Sequence, residues 1–301
     1  MSRHKRHPVR DACEAAAVRG LMAFFRALPY GVSLAAGRAL GRAIGWLDRR
    51  HTALARAQLA EAFGEGSRES RLAPEVYAHV GMCVAEMARV EGRARRGEIA
   101  AWVRIEGMEH VKAALEKGRG LAIVSGHLGN WELGAVAMAA AGIPLSIVAR
   151  PLDNTRLDGI LVRIRQAGGS EVIGKRNALR ATREILARGR GMAILIDQDA
   201  REHGVFVPFF GREASTIPSI AAISLRAGAP LVVTAMRRSP DHLTHTLTFE
   251  PVEVPDPAIP QDRTEDARRL TALLTAKLEA RIRQAPAQWL WMHRRWKTRP
   301  R

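Results

Sequence analysis

The run Ile123-Val-Ser-Gly-His-Leu-Gly-Asn-Trp-Glu-Leu133 joins the end of an apolar stretch to a glycine-containing turn and the start of a helix. The apolar stretch 121–125 is typical of a buried strand. Gly126 and Gly129 permit a tight turn, and a helix is predicted to begin near Asn130. Functional sites of open α/β sheets collect at the carboxyl ends of strands. The turn is therefore the first place to look for chemistry.

Short apolar runs alternate with amphipathic stretches outward from this unit. We predict strands over 121–125, 145–149, 192–196, 231–235 and 242–250, and helices over 131–141, 155–167, 177–188, 217–227 and 264–284. Such alternation favours an α/β fold with a mostly parallel central sheet flanked by helices. Residues 1–100 are predicted to be mainly helical.

The charge of the chain is concentrated at its two ends. The 301 residues have a net charge of +17 and are 47% hydrophobic, which is a globular composition. Residues 1–56 contain 11 Lys/Arg against 3 Asp/Glu, residues 281–301 contain 7 Lys/Arg and no acid, and the middle is nearly neutral. Basic ends beside apolar residues favour an anionic membrane surface over nucleic acid as the partner.

We accordingly predict two regions: a basic, amphipathic, membrane-associating helical region at 1–56 and an α/β domain at 57–301. Leu40, Ile44 and Leu47 have the spacing of one helix face. The longest uncharged run of the first region, residues 27–37, is too short for a spanning helix of about 20 residues. Two interpretations remain open: the region lies in the membrane interface, or it packs on the domain.

Aromatic residues mark the basic C-terminal end. It contains Trp289, Trp291 and Trp296 among arginines. Both Trp and Arg have an apolar body and a polar tip, which suits a membrane interface. The alternative is that the three tryptophans fill the core.

His127 and Glu132 are the candidate catalytic pair. A carboxylate held at one imidazole nitrogen fixes the tautomer and leaves the other nitrogen as a general base. No Gly-x-Ser-x-Gly nucleophile motif occurs, and neither Cys13 nor Cys83 is near the turn in sequence. Two cysteines exclude a disulfide framework, and no histidine and cysteine spacing of a zinc site is present. We therefore predict direct attack by a substrate hydroxyl or water, without a metal or other cofactor; the alternative is a helix-capping His and a surface Glu.

The segment Gly126-His-Leu-Gly-Asn-Trp-Glu132 resembles the His-x4-Glu/Asp motif of the lipid A biosynthesis acyltransferases, the lauroyl/myristoyl transferase family of the lysophospholipid acyltransferase superfamily. Further segments resemble the family in the same order: Ala149-Arg-Pro-Leu-Asp-Asn154, Ile196-Asp-Gln-Asp199, Gly204-Val-Phe-Val-Pro-Phe-Phe-Gly211, Ala214-Ser-Thr216 and Trp289-Leu-Trp-Met-His-Arg-Arg-Trp-Lys297. The resemblance covers roughly residues 100–297. Many members begin with a longer hydrophobic anchor than this chain has.

The resemblance implies an O-acyltransferase that moves a fatty acyl chain from a thioester, on acyl carrier protein or coenzyme A, to a hydroxyl of a lipid A precursor. It implies His127 as general base and Glu132 as its orienting carboxylate. It further implies that the enzyme acts at the cytoplasmic face of the inner membrane. Arginines interrupt the apolar residues near the start of this sequence, which favours peripheral attachment to that membrane.

Other residues of the matching segments are candidates for substrate binding. Backbone N–H groups near Gly129 and Asn130 are expected to stabilise the oxyanion. Arg150 is expected to bind a phosphate or the oxyanion, unless it forms a surface salt bridge. Asp199 is expected to position substrate or to cap a loop. Phe209 and Phe210 are expected to line an acyl pocket or to belong to the core.

Two alternative functions remain open from the sequence. One is acylation of another glycolipid, such as a phosphatidylinositol mannoside, because related families share the base motif. The other is a basic nucleic-acid-binding or membrane-scaffold protein. That reading predicts no role for His127 and a steep salt dependence of nucleic-acid binding.

Overall fold

A computed structural model describes residues 8–174, 178–254 and 262–300. This part of the chain contains ten α-helices: α1 (Pro8–Ala27), α2 (Tyr30–Leu47), α3 (Arg49–Phe63), α4 (Ala73–Arg95), α5 (Met108–Glu116), α6 (Trp131–Ala140), α7 (Thr155–Gln166), α8 (Ala178–Ala187), α9 (Ser219–Ala227) and α10 (Arg263–Gln284). Its strands are β1 (Val103–Glu106), β2 (Leu121–Ser125), β3 (Leu145–Ala149), β4 (Glu171–Gly174), β5 (Gly191–Leu195), β6 (Val205–Phe209), β7 (Arg212–Thr216), β8 (Leu231–Arg238) and β9 (His245–Val252).

The predicted α/β fold with a mostly parallel sheet is confirmed. Seven strands form one sheet in the order β1-β9-β8-β2-β5-β3-β4, while β6 and β7 form a separate antiparallel hairpin. Neighbouring strands of the large sheet are parallel except for the β8–β9 pair. The first four residues of the central strand β2 are fully buried. Burial on both faces explains why this strand reads as a continuous apolar run.

The predicted helices and strands of the α/β domain are present, with ends shifted by a few residues; residue 177, the predicted start of α8, lies outside the described residues. The strands β1, β4, β6 and β7 and the helix α5 were not predicted. Strands β1 and β4 are edge strands of four residues each, too short to show an apolar alternation. They complete the sheet by pairing with β9 and β3, which local sequence does not reveal.

Glycines allow α2 to lie close against α4. A Cβ on Gly41 would collide with the backbone carbonyl of Tyr77, and one on Gly81 would collide with that of Gly37. The expected helical character of the N-terminal region is thus confirmed. Its predicted boundary at residue 56 falls inside α3, and its first seven residues lie outside those described.

Several apolar side chains of α2 are exposed, because its glycines make the contact with α4. Leu40, Ile44 and Leu47 are exposed, and Trp46 is 74% exposed, whereas Phe25 of α1 is buried. Within the described ranges, no helix combines the length and the apolar character that crossing a membrane requires. The N-terminal helices therefore pack on the domain and still present an apolar surface.

Candidate active site

Strand register brings His127 and Asp197 together. Ser125 of β2 is paired with Leu195 of β5 in parallel register. His127 lies two residues after Ser125, and Asp197 lies two residues after Leu195. The His127 Nδ1 atom lies 2.8 Å from Asp197 Oδ1, and the backbone N–H of His127 donates to Asp197 Oδ2 at 2.6 Å. A Cβ at Gly126 would lie 2.9 Å from that same Oδ2, so the turn needs glycine there.

The C-terminal segment closes over the Asp197 carboxylate. Trp289 Nε1 donates to Asp197 Oδ2 at 2.7 Å, and the backbone N–H of Leu290 donates to the carbonyl of His127 at 3.1 Å. The Asp197 side chain is only 2% exposed. Burial alone would raise the pKa of this carboxyl, but the charge and hydrogen bonds of His127, with the Trp289 bond, lower it to about 2. Asp197 is therefore a buried, ionised carboxylate.

The His127 ring has the arrangement of a general base. Burial lowers its pKa, but the Asp197 charge and hydrogen bond outweigh that effect and hold the pKa above its ordinary value. Because Nδ1 faces a carboxylate, it carries the proton in the neutral ring, and Nε2 is left as the acceptor. Gln198 Nε2 lies 3.4 Å from His127 Nε2. The edge of the Trp131 ring contacts the imidazole at 5.0 Å between centroids.

The expected contact between Glu132 and His127 is wrong. Both Glu132 oxygens accept from Arg165, Oε2 from Nε at 2.7 Å and Oε1 from Nη2 at 2.6 Å, and each side chain is 14% exposed. Glu132 lies in the first turn of α6, where helix geometry directs it toward α7, and Arg165 lies in the last turn of α7. Each charge complements the dipole of its own helix. Glu132 still acts on His127 through space, where its charge favours the protonated ring.

Gly129 and the Asn130 side chain hold the turn in place, while the predicted oxyanion role of the Asn130 backbone N–H stays a prediction. The Gly129 N–H, expected to face an oxyanion, donates to the carbonyl of Gln288 at 3.0 Å. Gly129 has a φ of +63°, and a Cβ there would collide with the Met236 carbonyl, so only glycine fits. Asn130 is buried and caps α6 by accepting the Leu133 N–H at 3.2 Å. The prediction for Gly129 is therefore wrong as far as its own N–H is concerned.

A second buried carboxylate, Glu86 of α4, holds the Asn130 side chain in place. It accepts hydrogen bonds from Asn130 Nδ2 and His245 Nε2, both at 2.8 Å, from Tyr30 and from both Nη atoms of Arg238. Burial raises the pKa of Glu86, but His245 and Arg238 outweigh it and hold that pKa far below its ordinary value. This charged cluster ties α2, α4, β8 and β9 to the N-terminus of α6.

Cys83 is adjacent to the turn in space, although not in sequence. Its thiol donates to the Gly129 carbonyl at 3.7 Å, and its Sγ lies 3.4 Å from His79 Nε2. Burial raises the pKa of this thiol to about 12 and lowers that of His79 to about 3. A thiol this weakly acidic is a poor nucleophile. Among the described residues, no group of three or more His, Cys, Asp or Glu side chains has a metal-binding arrangement.

The side chains of Arg150 and Asp199 have their contacts, within the described residues, with groups other than the imidazole. Arg150 follows β3 and is largely exposed, with its Nη2 atom 3.7 Å from Asp153 Oδ1. Its predicted contact with substrate stays a prediction. The Asp199 carboxylate accepts the Thr298 hydroxyl at 3.0 Å and the Thr298 N–H at 3.3 Å, while its own N–H donates to His293 Nε2 at 3.0 Å. These contacts hold the loop in place, as expected for the second role predicted for Asp199, that of capping a loop.

The aromatic candidates form one cluster inside the core. Phe209 packs against Trp289 and Trp296, and Phe210 packs against Trp291. All five rings are buried, which decides the tryptophan alternatives in favour of core packing. The acyl-pocket role of Phe209 and Phe210 stays a prediction, since they lie within the core.

The most important residue that sequence reasoning missed is Asp197. A usable signal existed: it directly follows the predicted strand 192–196, as His127 follows 121–125, and parallel strands end at the same edge of a sheet. No comparable sequence signal points to Arg165 or Glu86. Each lies in a helix, and the direction in which its side chain points depends on how that helix packs.

The chain is similar to known acyltransferases over nearly its whole length. The sequence profile of the bacterial lipid A biosynthesis acyltransferases matches residues 2–298. The lipid A biosynthesis palmitoleoyltransferase of Escherichia coli (strain K12) is 29% identical over 93% of this chain and 90% of its own length. The lipid A biosynthesis lauroyltransferase of the same organism is 30% identical over 91% of this chain and 88% of its own length. A phosphatidylinositol mannoside acyltransferase of Mycolicibacterium smegmatis is 29% identical over 45% of this chain and 46% of its own length. On the profile match across nearly its whole length, this chain belongs to the bacterial lipid A biosynthesis acyltransferase family and is an acyltransferase.

Proposed function

We propose that the enzyme transfers a fatty acyl chain from the thioester of acyl carrier protein to a hydroxyl of a lipid A precursor, with His127 as general base. The observation that carries this proposal is the Nδ1 hydrogen bond to Asp197, which leaves Nε2 basic at the carboxyl end of β2. An acyl transfer that uses a positioned base and no enzyme nucleophile needs this arrangement.

The reaction then takes place in two steps around one imidazole. His127 Nε2 accepts the proton of the acceptor hydroxyl as its oxygen attacks the thioester carbonyl. The tetrahedral intermediate collapses, the carbon–sulfur bond breaks, and the leaving thiolate takes the proton from the imidazolium. Asp197 stabilises the imidazolium between these steps and keeps Nδ1 protonated throughout.

Glu132 and Arg165 are assigned a supporting role in this proposal. Two hydrogen bonds to Glu132 hold the Arg165 guanidinium in place. The positive charge of Arg165 also acts on the His127 ring. We place Arg165 as the cation that stabilises negative charge developing on the thioester carbonyl or on the acceptor. Glu132 is then a positioning residue for Arg165, which replaces its expected role at the histidine.

We further propose peripheral attachment at the cytoplasmic face of the inner membrane through α2. Leu40, Ile44 and Leu47 are exposed on one side of this helix, with Arg42, Arg49 and Arg50 nearby. An exposed apolar face bordered by arginines is the pattern of a helix that lies in an anionic lipid interface.

Mass spectrometry of lipid A from cells with and without this protein tests the proposed reaction. A loss of one acyl chain on deletion, restored by the wild-type chain, is the expected result. Unchanged lipid A with altered phosphatidylinositol mannosides would favour the alternative acceptor, whose named relatives match less than half of this chain. No change in any acylated lipid would refute the proposal.

A further inference from the structure

Helix α3, strand β7 and the C-terminal segment line an open cavity of about 310 Å³, and the lining is strongly basic. Four cationic side chains border it: Arg212, Arg294, Lys297 and Arg299. We refer to this cavity and its four cations as the basic cleft.

The positive charge of the basic cleft is poorly compensated. Glu61, the acidic residue of its lining, is bound to Arg212. None of the ion pairs found in the described ranges includes Arg294, Lys297 or Arg299. Burial first, and then the nearby charge of Arg299, hold the pKa of Arg212 below its ordinary value. Cations left this close together favour a partner that carries negative charge.

The basic cleft is linked to the imidazole through Arg295 and Thr298, the chain neighbours of its lining residues. Arg294 and Trp296 flank the buried Arg295, whose Nη1 atom donates to the Gln198 carbonyl at 3.3 Å. The side-chain amide of Gln198 lies 3.4 Å from His127 Nε2. On the other side, Thr298 lies between Lys297 and Arg299 and binds the Asp199 carboxylate. Whatever docks in the cleft is therefore held near the loop that faces the base.

Within the described ranges, no exposed large hydrophobic residue belongs to an element that lines the cleft, which favours a protein over a membrane as the occupant. In the described part of the chain, the exposed large hydrophobic residues are Val9, Phe24, Val32, Leu40, Ile44, Trp46, Leu47, Val84, Leu152, Leu243 and Leu273. None of them lies in α3 or in the C-terminal segment that form the cleft. Interfacial membrane binding needs apolar side chains to insert, whereas charge alone steers the encounter of two proteins.

We infer that the basic cleft is the docking surface for the acidic carrier protein that delivers the acyl thioester. This inference rests on the proposed function, which names a carrier-bound donor, and adds the surface of the enzyme that receives it. Docking there places the donor beside the Gln198 loop while α2 faces the lipid that contains the acceptor. The consequence is a KM for the carrier-bound donor that depends on charge and on salt.

The double variant Arg294→Glu/Lys297→Glu tests this surface. Both residues are exposed and outside the hydrogen bonds that hold the site. We expect the KM for acyl carrier protein thioester to rise at least about tenfold, with kcat within about twofold, because steering charges act on association. The KM for a small thioester without a protein carrier should stay within about twofold. The carrier-specific rise should shrink as salt is added.

The matched control is Arg183→Glu/Arg226→Glu, which makes the same change in net charge at exposed residues of α8 and α9. An unchanged KM for the carrier in the cleft variant, or an equal rise in both double variants, would overturn the docking surface alone. Loss of anionic-vesicle binding without a change in KM would assign the cleft to the membrane. A wild-type enzyme that uses the small thioester but not the carrier would refute the proposed donor as well.

Discussion

At the scale of single residues, the Asp197 carboxylate organises the site. It accepts the backbone N–H of His127, the Nδ1–H of the same ring and the indole N–H of Trp289. Three donors and a nearby imidazole keep it ionised, with its pKa at about 2. The Asp197 carboxylate therefore stays charged throughout the pH range in which a histidine ordinarily titrates.

The variant Asp197→Asn tests that relation. With its oxygen retained toward Trp289, the amide would donate to Nδ1, so the proton moves to Nε2 and the basic nitrogen is lost from the substrate side. We expect kcat to fall on the order of 10²–10⁴-fold. The remaining activity, followed from pH 5 to 9, should have its acid limb at lower pH, because the charge that raises the His127 pKa is gone.

The matched control is Asp199→Asn, two residues further along the same loop, where the carboxylate binds Thr298. We expect this variant to keep kcat within about threefold and to leave the acid limb in place. An Asp197→Asn enzyme with both a wild-type rate and a wild-type pH profile would exclude the carboxylate from the mechanism.

At the scale of elements, the Glu132–Arg165 pair joins α6 to α7 beside the imidazole. If Arg165 stabilises developing negative charge, then Arg165→Gln should lower kcat on the order of 10²–10³-fold. Glu132→Gln should have a smaller effect in the same direction, since the guanidinium is present but less constrained.

A double-mutant cycle separates positioning from independent action. The double variant should be little slower than Arg165→Gln alone, because Glu132 supports the rate mainly by positioning Arg165 and its through-space effect on His127 is the smaller contribution. Rate losses that multiply in the double variant would show that Glu132 acts on the substrate or on His127 independently. Arg163→Gln on the same helix is the control for lost charge.

The elements themselves were largely predictable, because buried parallel strands and amphipathic helices have clear periods. The strands β2, β3 and β5 read as apolar runs from the sequence and were found with nearly the same bounds. The edge strands β1 and β4 were not, since four residues paired at a sheet edge carry no distinctive pattern.

The sequence predicts only those parts of the site that residues close together in the chain determine. His127 follows from its strand and turn, but its partner Asp197 lies just after β5, 70 residues away. The sequence interval between His127 and Glu132 suggested contact, yet a helix start directs Glu132 to α7. The Glu86 cluster includes a hydrogen bond between residues 159 apart, and no local pattern predicts such a cluster.

At the scale of the whole molecule, the two basic ends have different surroundings. The exposed apolar side chains of α2 lie at the N-terminal end, whereas the C-terminal tryptophans are buried and leave arginine and lysine exposed. Arg295 contributes no surface charge, since it is fully buried among backbone acceptors. The two ends therefore suit different partners.

The triple variant Leu40→Asp/Ile44→Asp/Leu47→Asp tests the membrane role of α2. These side chains are exposed in the folded chain, so the fold should tolerate the change, while vesicle affinity should fall at least about tenfold. Cosedimentation with phosphatidylglycerol vesicles measures it. The double variant Leu152→Asp/Leu273→Asp, which changes exposed side chains outside α2, should bind as wild type does; equal losses in both variants would contradict a specific face.

The central claim is that His127, oriented by Asp197, is the base of an acyl transfer to a lipid A precursor. The most direct measurement is the mass of the precursor after incubation with acyl carrier protein thioester and either wild-type enzyme or His127→Ala. We predict a product heavier by one acyl chain with the wild-type enzyme and a rate lower by roughly 10²–10⁴-fold for the variant, at an unchanged thermal unfolding midpoint. A folded His127→Ala enzyme that acylates the precursor at the wild-type rate would contradict the account.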